Sequence, residues 1–256
     1  MIVVDSGLGG ISVVRALRAA RTGLAMTYIA DTAGFPYGNR SAEEIQARAH
    51  AMVAGITALH PHAPIILACN TLSTLCLDAL RADFNTPFVG TVPAIKPAAQ
   101  QSCSRRFTLL ATPNTAQSRY SADLVAQFAA DCVVDRYGAP NLAAMAERIL
   151  LGETVTDDAL RTELAPAFHD DARGRTDVIV LGCTHYPLIA HRLHAVVPWP
   201  ATFVDSSEAI ARRALSLMET PPAQSVAYVT ATADIERYLP VFAREGFEEV
   251  RALTLS

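Results

Sequence analysis

The sequence predicts an α/β protein built from two similar Rossmann-like halves with mostly parallel sheets. Two observations carry this. Apolar runs ending in small polar residues recur as IVVDS, TYIADT, IILACNT, PFVGT, TLLATPNT, VIVLGCTH and TFVDSSE. Helical patterns follow most of them, and strands alternating with helices make parallel βαβ units. The strand ends also recur in kind: LAC at Leu67 and LGC at Leu181 each lead on to threonine, and VDS stands at Val4–Ser6 and again at Val204–Ser206. Such repetition points to two halves rather than one long sheet.

Taken in order, the first run precedes a helical pattern over 11–20, and those that follow precede patterns over 42–59, 74–82, 94–101, 118–130, 188–196 and 207–218. Ile65, Ile66, Leu67 and Ala68 form an uninterrupted apolar segment after Pro64, as in a strand covered on both faces. The stretch GTVPAIKP, 90–97, is the best hinge. If the chain returns near Asp205, the first domain comprises 1–91 plus 205–256 and the second 92–204.

The bulk numbers narrow the function. With 256 residues, 51% hydrophobic and 18% charged, the chain can bury two ordinary cores. No apolar run approaches the roughly 20 residues of a membrane helix, and MIVVDSGLGG lacks the basic segment and cleavage site of a signal peptide. A cytoplasmic location is expected. A net charge of -4 argues against a nucleic-acid binder. The expected partner is therefore a small-molecule substrate, with neither nucleic acid nor membrane; a homodimer is left open.

Five cysteines without CxxC spacing fit neither a disulfide framework nor a zinc ribbon, so free thiols are expected. Cys76, Cys103 and Cys132 read as small core residues. Cys69 and Cys183 differ by their matched positions, each where an apolar strand hands over to a helix. There open α/β sheets bind ligands, and a helix N-terminus favours thiolate. His185, two residues after Cys183, can add to the effect. Asp5 with Ser6, Asp31 with Thr32, and Thr112 with Thr115 are expected to crowd the same cleft.

Other chemistries fare worse. GLGG, Gly7 to Gly10, lacks the full GxGxxG spacing and a Walker lysine, and reads as a tight turn offering amides to a carboxylate. His191 and His194 have no ligand partner at metal spacing, and His60 and His62 flank Pro61 in a loop. Lys96, the only lysine, is the one candidate for a Schiff base. Neither a cofactor nor a metal is expected.

The set DSGLGG, FPYG, ACNT, LLATPNT, LGCTHYP and VDS, in this order and spanning nearly the whole chain, resembles the glutamate racemases. That family makes D-glutamate for peptidoglycan without a cofactor. The resemblance implies an active site between two α/β domains, with Cys69 and Cys183 as the acid/base thiols. Asp5 and Ser6 match the family's substrate-side DS pair and His185 the residue that assists Cys183; Asp5 and His185 are the candidates for tuning the thiols and handling protons. Ser6, Tyr37, Gly38, Asn70, Thr71, Thr115 and Thr184 match positions that hold the amino acid. Glu147, in LAAMAERILLGE, resembles the family's helical glutamate near the second thiol. A glutamate on an amphipathic helix is otherwise ordinarily solvated, and both readings stand.

Leu72 and Thr74 depart from the smaller residues that relatives often carry after ACNT. Some relatives have an N-terminal extension linked to activation by a cell-wall precursor. This chain begins on its first strand, so that activation is not expected. An aspartate or hydantoin racemase of the same superfamily and a non-catalytic amino-acid-binding protein remain as alternatives, although paired thiols would serve no purpose in the latter.

Overall fold

The computed structural model describes residues 1–218, 224–231, 233 and 235–255. The chain divides into two compact units, Met1–Thr91 with Ser207–Ser256, and Val92–Ser206.

In the first unit β1 (Ile2–Asp5), α1 (Ile11–Ala20), β2 (Thr27–Ala30), α2 (Ala42–Leu59), β3 (Ile65–Leu67), α3 (Asn70–Asp83) and β4 (Phe88–Gly90) alternate as expected. The second unit holds α4 (Ile95–Gln101), β5 (Arg106–Ala111), α5 (Pro113–Gln117), α6 (Arg119–Phe128), β6 (Val133–Gly138), α7 (Leu142–Leu150) and α8 (Asp157–Leu164). A small hairpin, β7 (Asp170–Asp171) and β8 (Gly174–Arg175), leads to β9 (Val178–Gly182), α9 (Ala190–Val196) and β10 (Thr202–Val204). The chain then returns to the first unit as α10 (Ser207–Leu215), β11 (Val226–Val229), α11 (Ile235–Arg244) and β12 (Glu249–Ala252).

The first sheet runs β12-β11-β2-β1-β3-β4 and the second β10-β9-β5-β6, every pairing parallel. β1 sits between β2 and β3, and β5 between β6 and β9. The chain therefore leaves each central strand to one side and comes back on the other, which creates a switch point at the strands' carboxyl ends. In the first unit that point lies between β1 and β3, in the second between β5 and β9. This topology makes β3 the counterpart of β9, so Cys69 and Cys183 follow equivalent strands. It corrects the pairing of the two VDS segments: β10 stands where β4 does, while the counterpart of β1 is β5, which ends in Ala111 and Thr112.

Both cores are built from the faces of these sheets. Ile2, Val4, Ile65 and Leu67 pack with Met52, Val53 and Leu72 in one cluster, and Phe107, Leu109, Val178 and Val180 with Ile95 and Ala98 in another. Leu72 is fully buried there. Truncating such a side chain to alanine costs about 2–5 kcal/mol. Of the three cysteines expected in the core, only Cys76 is buried; Cys103 is exposed and Cys132 half-buried. Cys103 lies in the loop before β5, and Cys132, in the turn before β6, packs only partly buried against the second cluster.

Candidate functional site

In the first unit Cys69 is the N-cap residue of α3, with extended backbone (φ -68, ψ 124) and a side chain that takes no part in capping. The helix begins at Asn70, four residues earlier than the apolar spacing predicts, so the thiol lies directly at the helix's positive end. Its turn is tightly held. Ser73 Oγ donates to the Leu67 carbonyl at 2.8 Å, and Thr91 Oγ1 contacts both Leu67 and Ala68 carbonyls at 2.8 Å. Across the switch point, Ser6 Oγ donates to Cys69 Sγ at 3.6 Å. Asp5 is fully buried and accepts from the Gly7 amide at 2.9 Å. Gly10 allows this crowding, since a Cβ there would lie 2.7 Å from Tyr28 Oη and 3.1 Å from Asp5 Cβ.

Asn70, Thr71, Ser6 and Tyr37 are all buried in the same unit, with Tyr37 and Gly38 in a 3-10 turn between β2 and α2. Tyr37 shares a buried cluster with Cys69, Leu67 and Leu72. Its hydroxyl hydrogen-bonds Asp31, which is also bound by Arg48 and, at 2.6 Å, by Thr230 Oγ1. Burial alone would raise the Asp31 carboxyl, but the bonds from Arg48, Thr230 and Tyr37 outweigh it and hold the pKa low. Burial, reinforced by the Asp31 charge, pushes the Tyr37 phenol far up, so it remains neutral. Asp31 thus stands behind Tyr37, one of the residues expected to hold the substrate. Asp31 is saturated from within its own unit, and Thr32 Oγ1 accepts from the Ala231 amide at 2.8 Å. Arg48 and Thr230 lie 17 and 199 residues from Asp31, and nothing in the local sequence marks them.

The second thiol is supported differently. After Cys183 the chain enters a 3-10 turn, Tyr186–Ile189, with Pro187 near its start, and α9 begins only at Ala190. The expected helix N-terminus at this cysteine is displaced by several residues. In its place stands a polar chain: Cys183 Sγ lies 3.8 Å from His185 Nδ1, and His185 Nε2 lies 2.8 Å from Glu147 Oε2. All three are buried, so Glu147 is not a solvated helix residue. Burial opposes a charge on His185, but its bonds to Cys183 and Glu147 prevail and raise its pKa well above the ordinary value. The favoured imidazolium offers Cys183 an N–H and a positive charge.

Gly182, just before the thiol, is required by space: a Cβ would lie 2.6 Å from Leu109 Cδ1 and 3.2 Å from the Leu110 carbonyl. Thr184 is buried beside Cys183 in sequence. Thr115 is fully buried and receives a hydrogen bond from Thr112 Oγ1 at 3.1 Å. Its carbonyl is fixed by Ser118 and Ser121 at 2.8 and 2.6 Å. The other cysteines have no such setting: burial pushes the Cys76 thiol up to about 12. Lys96 is exposed, its ammonium 5.9 Å from the centre of the Phe128 ring. His191 and His194 are exposed on α9, His194 stacked on Phe203.

Residues 11–214 match the sequence profile of the family described as Asp/Glu/Hydantoin racemase. A glutamate racemase of Sinorhizobium medicae is 45% identical over 222 residues, 86% of this chain and 82% of that protein. One of Mesorhizobium japonicum is 44% identical over 225 residues, 87% of this chain and 84% of its own. Among solved structures, Escherichia coli glutamate racemase in complex with L-glutamate and the activator UDP-MurNAc-ala superimposes with a TM-score of 0.91. It is 39% identical, covering 100% of this chain and 98% of that one. A profile match over most of the chain, together with relatives of this identity and coverage, means that the chain belongs to the Asp/Glu/Hydantoin racemase family of isomerases.

Proposed function

We propose that the protein interconverts L- and D-glutamate in the cytoplasm by proton transfer at Cα between two thiols, supplying D-glutamate for peptidoglycan. The observation that carries the reading is the placement of Cys69 and Cys183 after equivalent strands, each with its own buried polar support. Inverting a stereocentre by proton transfer needs a base on one face of Cα and an acid on the other. In one direction a Cys69 thiolate abstracts while Cys183 donates; in the other the roles exchange. The Ser6 hydroxyl and the α3 N-terminus stabilise charge on Cys69, and the His185–Glu147 pair does so for Cys183.

The Cα proton is weakly acidic, so the developing carbanion needs fixed dipoles around the substrate carboxylate. The amides and hydroxyls of Ser6, Asn70, Thr71, Thr115 and Thr184 are the groups assigned to that task. Such preorganised donors act most strongly where water is excluded. Glutamate, rather than another acidic substrate, is favoured by the names of the relatives.

The test is polarimetry of purified protein with L-glutamate, after exhaustive dialysis against a chelator and without pyridoxal phosphate. Optical rotation decaying to zero, with Lys96→Arg equally active, is the expected result. No racemisation of glutamate, alongside racemisation of aspartate or a hydantoin, would overturn the substrate assignment. Activity restored only by a metal or pyridoxal phosphate would overturn the chemistry.

A further inference from the structure

The hydrogen bonds around Asp31 join segments far apart in the chain and end on a residue assigned to the substrate. Asp31 follows β2 directly and is fully buried. The guanidinium of Arg48 on α2 grips both of its carboxylate oxygens, with Nε at 2.5 Å from Oδ2, and Thr230 Oγ1, just after β11, donates to Oδ1 at 2.6 Å. The Tyr37 hydroxyl donates to Oδ2. The loop between Asp31 and Tyr37 is shaped to admit this arrangement. Gly34 leaves the path open, since a Cβ there would lie 2.2 Å from Asp31 Oδ2 and 2.4 Å from Arg48 Nε. Thr230 Oγ1 also accepts from the Ala33 amide at 3.0 Å, and Arg40 Nε donates to the Gly34 carbonyl.

An ion pair so far withdrawn from water is a poor source of stability, because desolvating the charges offsets much of their attraction; apolar side chains of similar volume would join α2 to β2 as well or better. What the pair offers is a fixed geometry. A guanidinium fork on both oxygens holds the carboxylate in one orientation, and the Tyr37 phenol must meet it there. The 3-10 turn Tyr37–Asn39 packs against α3, the helix that starts directly after Cys69, and Tyr37 belongs to the same buried cluster as Cys69. A phenylalanine would fill that cluster but could not reach Asp31 with a donor. The bond also persists across the working pH range, since the Asp31 carboxyl is held low and the Tyr37 phenol is pushed far up.

We propose that Asp31 is a positioning residue for substrate binding: through the Tyr37 hydroxyl it holds the Tyr37–Gly38 turn where the first unit takes up the amino acid, and Arg48 and Thr230 hold Asp31 for that task. The inference rests on the assignment of Tyr37 and Gly38 to the substrate. Asp31 acts through Tyr37 rather than on the reacting carbon. Loosening the turn removes binding that substrate and transition state share, which raises KM and leaves kcat near its wild-type value.

The experiment compares Asp31→Asn, Tyr37→Phe and the double variant in steady-state racemisation of L-glutamate, with amide hydrogen exchange of the substrate-free proteins read by mass spectrometry. Each single variant should raise KM about tenfold, the scale of one lost bond to a charged group, with kcat changed less than about threefold. The double variant should show no more than the larger single effect, because both substitutions break the same bond. Exchange across residues 34–41 should quicken in Asp31→Asn while that of β1 and β3 stays as in wild type. KM effects that multiply in the double variant, a loss confined to kcat, or unchanged exchange over 34–41 would each overturn the proposal. Should Asp31→Asn not fold, Thr230→Val, which removes one bond to the same carboxylate, is expected to raise KM and quicken the same exchange; no change in either would overturn it equally. The underlying reading fails separately: if the wild-type protein does not racemise glutamate, the exchange comparison, which needs no substrate, still decides whether Asp31 holds the turn.

Discussion

The two thiols are alike in position and unlike in surroundings. Cys69 has a helix end and one hydroxyl, while Cys183 has an imidazole backed by a carboxylate. Replacing either with serine should lower kcat by about 10²–10⁴, the usual worth of a general acid or base. Cys76→Ser, Cys103→Ser and Cys132→Ser should retain activity in the same assay, although Cys76→Ser buries a hydroxyl and should melt earlier. The His185–Glu147 pair also carries a pH signature. Because the folded pKa of His185 is raised, its contribution to stability is complete below about 6.5, its unfolded value, and is lost as pH rises through the folded pKa. Glu147→Gln should therefore lose about 3–5 kcal/mol near pH 5.5 and progressively less toward pH 9, measured by urea unfolding. A pH-independent loss would mean that His185 is neutral in the folded protein.

At the scale of elements, the sequence was most readable where strands are covered on both faces. β1, β3, β5 and β9 are wholly buried; β3 and β9 carry no charged or hydroxyl residue, β1 is apolar up to Asp5, and β5 is apolar but for Arg106 and Thr108. β6 and β12 lie at sheet edges and carry polar residues, Val-Val-Asp-Arg-Tyr-Gly and Glu-Val-Arg-Ala, so neither produces such a run and neither is legible as a strand in the sequence. β11 is an apolar run of only four residues without the small polar ending that marks the other strands. Of the site, both cysteines stood out by their place at strand ends and Glu147 by its motif. The Asp31 network joins residues far apart in the chain, and their local sequence gives no sign of it. Arg106 is of that kind: wholly buried at the start of β5, it pairs with Asp135 of β6 at 3.0 Å and with Asp171 of the β7–β8 hairpin at 2.6 Å. Arg106→Ala removes a wholly buried side chain and leaves two solvent-accessible carboxylates without their cation, and should lower the stability of the second unit in chemical denaturation by less than the loss of a partner from a fully buried pair. A loss below 1 kcal/mol would show that solvent already compensates these charges.

For the whole molecule, the decisive observable is where solvent hydrogen appears. In heavy water, separate acids and bases on the two faces of Cα should place deuterium in the product enantiomer well before the remaining substrate acquires any. Early labelling of both enantiomers alike, read by proton NMR after chiral separation, would instead indicate a single base serving both faces. No helix among the described residues is long and apolar enough to cross a membrane.

The unequal surroundings of Cys69 and Cys183 have to be reconciled with thermodynamics. Mirror-image amino acids have the same free energy in water, so the equilibrium constant is one and kcat/KM must be identical for the two enantiomers at every pH. An uneven catalyst cannot favour one direction in that ratio. Its asymmetry can emerge only as paired differences, so that whichever enantiomer turns over faster at saturation must also have the higher KM, by the same factor. Weakening one thiol's support, as Ser6→Ala does to Cys69 and Glu147→Gln to Cys183, should change how kcat and KM divide between the enantiomers, with opposite bias in the two variants, while both lose the same kcat/KM for L- and D-glutamate.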